Sequence, residues 1–153
     1  MAFKFPKSTS EIQGTVVLAP GYYRMRIVKE PTIEPNRKKK DGLPPSEGAG
    51  DNFVLRLRVI SDDPAENGRA FTKYLPMPKP EDAEEFDQFT GQPILDRKME
   101  AIVAWVQAFG GTIEEDEFDL RAGGEAAVAI IVEDRDGNPI NAIDMNALPK
   151  PLD

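Results

Sequence analysis

The sequence has no histidine and no cysteine among its 153 residues, and those two absences remove much of the usual catalytic repertoire. Serine-histidine triads, cysteine nucleophiles, histidine general bases and Cys/His zinc sites each need at least one of them. Any chemistry would have to run on carboxylates, Lys, Tyr, Ser or Thr. Long hydrophobic runs are missing as well. The start Met1-Ala2-Phe3-Lys4-Phe5-Pro6 has no apolar signal-like region, and Val16-Val17-Leu18-Ala19 is too short for a signal or a span. A lack of Cys suits a reducing compartment, so the expectation is a soluble cytoplasmic protein with no membrane partner. With 40% hydrophobic residues, the chain has enough apolar side chains for one domain with a real core.

What is present is charge, unevenly spread. The net charge of −8 argues on average against a polyanionic partner. Counted by segment, residues 1–20 carry +1, residues 21–75 carry +3 and residues 76–153 carry −12. The deficit lies in the second half, which fits equally a basic working surface separated from an acidic remainder and a solvated surface with no partner.

Residues 1–20 read as an arm ending in the turn Ala19-Pro20-Gly21. From Gly21 the alternation is that of a half-buried strand: Tyr23, Met25 and Ile27 point one way, and Tyr22, Arg24, Arg26 and Val28 the other. Pro31 ends it. Residues 31–51 hold Pro31, Pro35, Pro44 and Pro45 and the basic run Arg37-Lys38-Lys39-Lys40, without periodicity. A loop of roughly twenty residues is long for a compact domain and is usually functional or disordered. A second strand is expected from Asn52 to Ser61, with Phe53, Leu55, Leu57 and Val59 on one face and Val54, Arg56, Arg58 and Ile60 on the other. Asn67-Gly68 turns the chain into a third strand, Arg69 to Leu75.

After a proline-rich connector and a short acidic helix at Glu81–Phe89, the stripe Leu95, Met99, Ile102, Val106 and Phe109 predicts a helix from Ile94 to Phe109, stopped by Gly110-Gly111. Strands at Ala126–Val132 and Ile140–Ile143 follow, joined by Asp136-Gly137-Asn138. Three strands, a helix and two strands is the layout of a five-stranded OB-fold, a mainly β barrel with its helix between strands 3 and 4. The domain is expected to span 21–145, with an arm at 1–20 and a tail at 146–153.

Arg24 and Arg26, Arg56 and Arg58, and Arg69 and Lys73 stand two or four residues apart, so each pair shares one face of its strand. If the three strands are neighbours, these cations line one sheet face. Tyr22 adds a ring among them, as does Phe71 if it shares the face of Arg69. Otherwise Phe71 is core and Ala70, Thr72 and Tyr74 face out. Cations along a phosphate backbone with aromatic platforms for unstacked bases is the physics of single-strand binding. The run Arg37-Lys38-Lys39-Lys40 falls in the connection beside that face, where it could close over a bound strand.

Metal and nucleotide motifs fail. Asp134-Arg135-Asp136-Gly137-Asn138 starts like a calcium loop, but Pro139 stands where a glycine is needed and Met145 where the bidentate glutamate belongs. Gly48-Ala49-Gly50 follows no strand and lacks the third glycine of a dinucleotide fingerprint. No metal or cofactor is expected. Trp105 reads as core, and Phe86, Phe89 and Phe118 as packing for one end of the barrel.

The sequence resembles the small single-stranded-DNA-binding proteins encoded by tailed phages and prophages, a divergent OB-fold family. The resemblance runs from about Pro20 to Ile143. It rests on Pro20-Gly21-Tyr22-Tyr23, Asn52-Phe53-Val54-Leu55-Arg56-Leu57-Arg58-Val59, Asn67-Gly68-Arg69-Ala70-Phe71 with Tyr74-Leu75, Ala101-Ile102-Val103-Ala104-Trp105 with Ala108-Phe109-Gly110, and Gly137-Asn138. It implies a non-enzymatic protein that coats single-stranded DNA in phage replication or recombination, in the host cytoplasm. The expected binding residues are Tyr22, Arg24, Arg26, Arg37, Lys38, Lys39, Lys40, Arg56, Arg58, Arg69, Phe71, Lys73 and Tyr74. Many such proteins end in an acidic tail that recruits partners, whereas this chain ends Asn146-Ala147-Leu148-Pro149-Lys150-Pro151-Leu152-Asp153. Replication or recombination partners are therefore expected to use the acidic surface at 81–87 and 114–119. The competing reading is a phage structural or assembly protein that uses the same small barrel for protein contacts.

Overall fold

The computed structural model of the chain describes residues 2–11, 16–36 and 50–152. Its main body is an antiparallel sheet built from β1 (Gly21–Ile27), β2 (Thr32–Pro35), β3 (Asp51–Val59), β4 (Ala70–Pro76), β7 (Glu125–Arg135), β8 (Asn138–Ile143) and β9 (Lys150–Pro151). One helix, α1 (Ile94–Ala108), follows β4, and a small hairpin of β5 (Thr112–Glu114) and β6 (Glu117–Asp119) follows α1. The expected order of three strands, a helix and two strands is present, with four short strands added. No helix among the described residues is long and apolar enough to cross a membrane.

Period-two patterning produced the strands. Met25 and Ile27 of β1, Phe53, Leu55, Leu57 and Val59 of β3, and Ala126, Val128 and Ile130 of β7 are all buried on one face. Helix α1 closes that face with Ile102, Trp105, Val106 and Ala108, joined by Phe109 just beyond it. Trp105 is 2% exposed and stacks on Phe109 with ring centroids 6.0 Å apart, as expected of a core residue. Met99 of the expected stripe is exposed, and Leu95 is half-buried. Gly124 allows the chain entering β7 to pass against the end of the helix, since a Cβ there would lie 2.4 Å from the Phe109 carbonyl oxygen. Gly68, with φ of 83°, and the pair Asp136 and Gly137, with φ of 54° and 83°, make the tight turns.

Strand β2 lies inside the stretch read as an unstructured loop. Pairing of Thr32–Pro35 with Asp51–Val54 supplies what local sequence does not advertise, and proline at the last position need not donate to the ladder. Strands β1 and β2 follow one another along the same edge of β3, because Leu57 pairs with both Ile27 and Phe71 while Val54 pairs with both Thr32 and Tyr74.

The sheet is open rather than a closed barrel. Strand β4 pairs only with β3, and β8 only with β7. Side chains and the arm occupy the seam between these edges. Asn141 of β8 accepts a hydrogen bond from Leu18 N at 2.8 Å and donates one to Leu18 O at 2.9 Å. Arg69, just before β4, donates to the Val16 carbonyl and to Asn141 Oδ1. Leu18 is buried in the core, so the arm fastens the seam that a ladder would otherwise close.

Candidate functional site

Opposed residues in an antiparallel pair share a face, so the ladder registers fix what lies on the outer side of the sheet. Arg26 of β1 stands opposite Arg58 of β3 and, on its other side, opposite Glu125 of β7. Arg24 pairs with Ala127, and Tyr22 with Ala129. Across β3, Arg58 faces Ala70, Arg56 faces Thr72, and Val54 faces Tyr74. Tyr22, Arg24, Arg26, Arg56, Arg58 and Tyr74 therefore share one surface. Tyr22 is 43% exposed and Tyr74 56% exposed.

Acids missed in the sequence reading temper this surface. Glu125 binds both neighbouring arginines: Arg24 Nε reaches Oε1, and Arg26 Nη2 lies 2.9 Å from Oε2. Hydrogen bonds first from Arg24 and then from Arg26 hold its carboxyl below the usual glutamate range. Arg56 pairs with Glu34 at 2.9 Å, which raises the guanidinium pKa. Arg58 is exposed and has no ion-pair partner among the described residues. Glu125 was legible by parity, since it precedes Ala127 and Ala129 at two-residue steps. Glu34 was hidden because β2 itself was.

A further cation comes from β9. Lys150 Nζ sits 4.3 Å from the centroid of the Tyr22 ring, and the Tyr22 hydroxyl donates to the Leu148 carbonyl at 3.2 Å. Nothing in the residue pattern near the C-terminal end signals this contact.

Three of the expected binding positions sit elsewhere. Phe71 and Lys73 oppose Leu57 and Leu55, which puts them on the core side of β4. Phe71 packs against the core, and Lys73 Nζ lies 5.3 Å from the centroid of the Trp105 ring. Burial pushes the Lys73 ammonium below the ordinary lysine range. The physical reason is register: β4 places Ala70, Thr72 and Tyr74 outward, one residue out of phase with the basic pair. Arg69 is committed to the seam, bonded to Val16 and Asn141. Phe86 and Phe89, expected as packing, are instead 60% and 95% exposed, whereas Phe118 packs against the core, in edge contact with Phe53 at 5.1 Å. Arg37, Lys38, Lys39 and Lys40 lie outside the described residues.

The acidic surface is partly self-satisfied. Asp82 is buried at the 3-10 turn Pro80–Glu84, accepting from Lys79 N at 2.8 Å and Lys98 Nζ at 2.9 Å. Burial alone would push its pKa up, but those donors outweigh it and hold the carboxyl below the usual range. Asp87 accepts from Phe89 N and Thr90 N and pairs with Arg97 at 2.7 Å. An open groove of about 480 Å³ beside β6 has an apolar floor of Ile33, Phe53, Met77 and Phe118 and acids at its rim, among them Glu30, Asp116 and Glu117. Its charge is the wrong sign for phosphate. No group of three or more acidic, His or Cys side chains placed to hold a metal occurs among the described residues.

The outer face thus offers cations at strand spacing and two exposed phenolic rings. No family model matches the chain, and no curated protein matches it significantly.

Proposed function

We propose that this protein binds single-stranded DNA, largely without regard to sequence, through the outer face of β1, β3 and β4, and performs no chemistry on it. The observation that carries the reading is the cross-strand pair Arg26 and Arg58, flanked on one exposed face by Arg24, Arg56, Tyr22 and Tyr74. Two like charges directly opposed are unfavourable in the free protein. A phosphate between them relieves that repulsion, and exposed rings beside them stack unpaired bases. Glu125 and Glu34 hold three of the arginines in place and are exchanged for phosphate on binding.

The fold we propose is of the OB type. In support, β1 and β2 act as one bent first strand shared between β3 and β7, and the spatial order β4, β3, β1, β7, β8 is the order 3-2-1-4-5 of that topology. Here the arm replaces a complete ladder at the 3–5 seam. Coating of single strands in phage replication or recombination, in the host cytoplasm, is the role the sequence resemblance adds, with the basic run Arg37, Lys38, Lys39 and Lys40 contributing. Protein partners of that role would meet Glu81, Glu84 and Glu85, which remain exposed.

A phage structural or assembly role is the second reading. Phe86 and Phe89, held out on a loop fastened by Asp87, favour it.

Binding of fluorescein-labelled poly-dT, followed by anisotropy across a salt series, tests the proposal. Four neutralised phosphates give a slope of log K on log salt of about −3, by the single-strand rule of roughly −0.7 per contact. Arg58→Glu should weaken binding at least tenfold with an unchanged thermal melt. Absence of binding at low salt would move the assignment to the assembly role.

A further inference from the structure

The cation over Tyr22 bears directly on how that ring could meet a base. Strand β9 pairs with β7 so that Lys150 lies opposite Ala127, which lies opposite Arg24 on the far side. Lys150, Ala127 and Arg24 therefore form one row across the outer face, with an alanine between the two cations. Two strand spacings of about 4.8 Å separate their backbones. The ammonium does not stay in its own row. It reaches to the neighbouring row and rests on the Tyr22 ring, whose hydroxyl is tied to Leu148. Lys150 makes no ion pair among the described residues, where its partner is the Tyr22 π-face.

We propose that Lys150 is a phosphate-binding residue of this face, held on Tyr22 in the free protein and released to the backbone of the bound strand when a base takes the ring. The proposal rests on the single-strand reading above and extends the interface by one strand, to β9. The exchange has a physical direction. An ammonium on an exposed ring is held more weakly than a nucleobase stacked on it, because the ammonium loses hydration while the base loses little. The displaced lysine then has a counterion within reach if the strand whose base covers Tyr22 carries its phosphates past Ala127, between Lys150 and Arg24. Ala127 is half-buried and keeps part of its surface on this face, between Lys150 and Arg24, whereas Ala129 is buried. Aligned in this way, the strand would run from Arg58 and Arg26 toward Lys150.

The test compares the parent, Lys150→Gln and Lys150→Arg by poly-dT anisotropy over a salt series. Removing one phosphate contact should make the slope shallower by about 0.7 and lower the affinity several-fold in Lys150→Gln, with Lys150→Arg restoring both. A second measurement uses reductively 13C-dimethylated protein. The Lys150 methyl signal, shifted upfield by the Tyr22 ring, should move to the position of an ordinary exposed lysine when the oligomer is added. Tighter binding by Lys150→Gln would mean that the segment only covers Tyr22, and an unchanged slope would mean that Lys150 stays off the strand. Either result overturns the proposal while leaving the face intact. If the parent itself does not bind, the reading of the whole face falls, and Lys150 with it.

Discussion

Two lysines lie over aromatic rings, one on each side of the same sheet. Lys73 covers Trp105 at 5.3 Å on the inner side, and Lys150 covers Tyr22 at 4.3 Å on the outer side. By distance the outer pair is the closer one, yet the two contacts do different things. Trp105 is fixed in the core, and burial depresses the Lys73 pKa, so the inner pair is a packing element that carries an electrostatic cost. Tyr22 remains half open to solvent, and Lys150 can leave its ring without uncovering core. Burial, more than contact geometry, separates a structural cation–π pair from an exchangeable one.

The largest expected effect breaks the inner pair. Trp105→Ala should cost about 3–5 kcal/mol of stability, read by urea denaturation with far-UV circular dichroism because the only tryptophan is removed. Tyr22→Ala, on the outer side, should cost less than about 1 kcal/mol. Equal losses would erase the distinction drawn between the two faces.

A smaller effect comes from Lys73→Met. Because the folded pKa of Lys73 lies below its ordinary 10.5, the folded state binds fewer protons than the unfolded state in the alkaline window beneath that value. Stability of the parent should therefore rise with pH across this window, as the penalty of the buried charge is relieved. In Lys73→Met that rise should be absent, and DNA affinity should match the parent. A weakened affinity would return Lys73 to the binding face.

The smallest stability change, within about 1 kcal/mol at neutral pH, is expected for Glu125→Gln, which frees Arg24 and Arg26. Glu125 has a lowered folded pKa, so its contribution is present above its ordinary 4.5 and disappears as pH falls through the folded value. The variant should lose that acid dependence and bind poly-dT more tightly than the parent at equal salt. Weaker binding would show that Glu125 is needed to hold the arginines in position.

Much of the inner side was readable from single residues. Alternation in Gly21–Ile27 and Asp51–Val59, with the spacing of Ile102, Val106 and Phe109, assigned the core because hydrophobic burial follows a local period of two or 3.6. The outer side was readable only in part. Arg24, Arg26, Arg56 and Arg58 follow from the phase of β1 and β3. The phase of β4 does not follow from its sequence, Ala-Phe-Thr-Lys-Tyr-Leu-Pro, where rings and polar groups occur at both parities. Pairing with β3 decided it, and with it the inward placement of Phe71 and Lys73.

By itself, then, the sequence determined that the chain is mainly β with an amphipathic helix after the third strand, that it lacks histidine and cysteine chemistry, and that its positive charge gathers in the segment holding the first strands, while the short acidic helix expected at Glu81–Phe89 is only a 3-10 turn at Pro80–Glu84. Those properties depend on composition and on patterns within one element. Only the tertiary structure decided which acids neutralise which arginines, that Arg69 fastens the arm to β8 instead of facing outward, that the sheet stays open, and that Lys150 reaches Tyr22. Each of these joins residues far apart in the chain. Their positions are fixed by ladder register and packing, which no local period encodes.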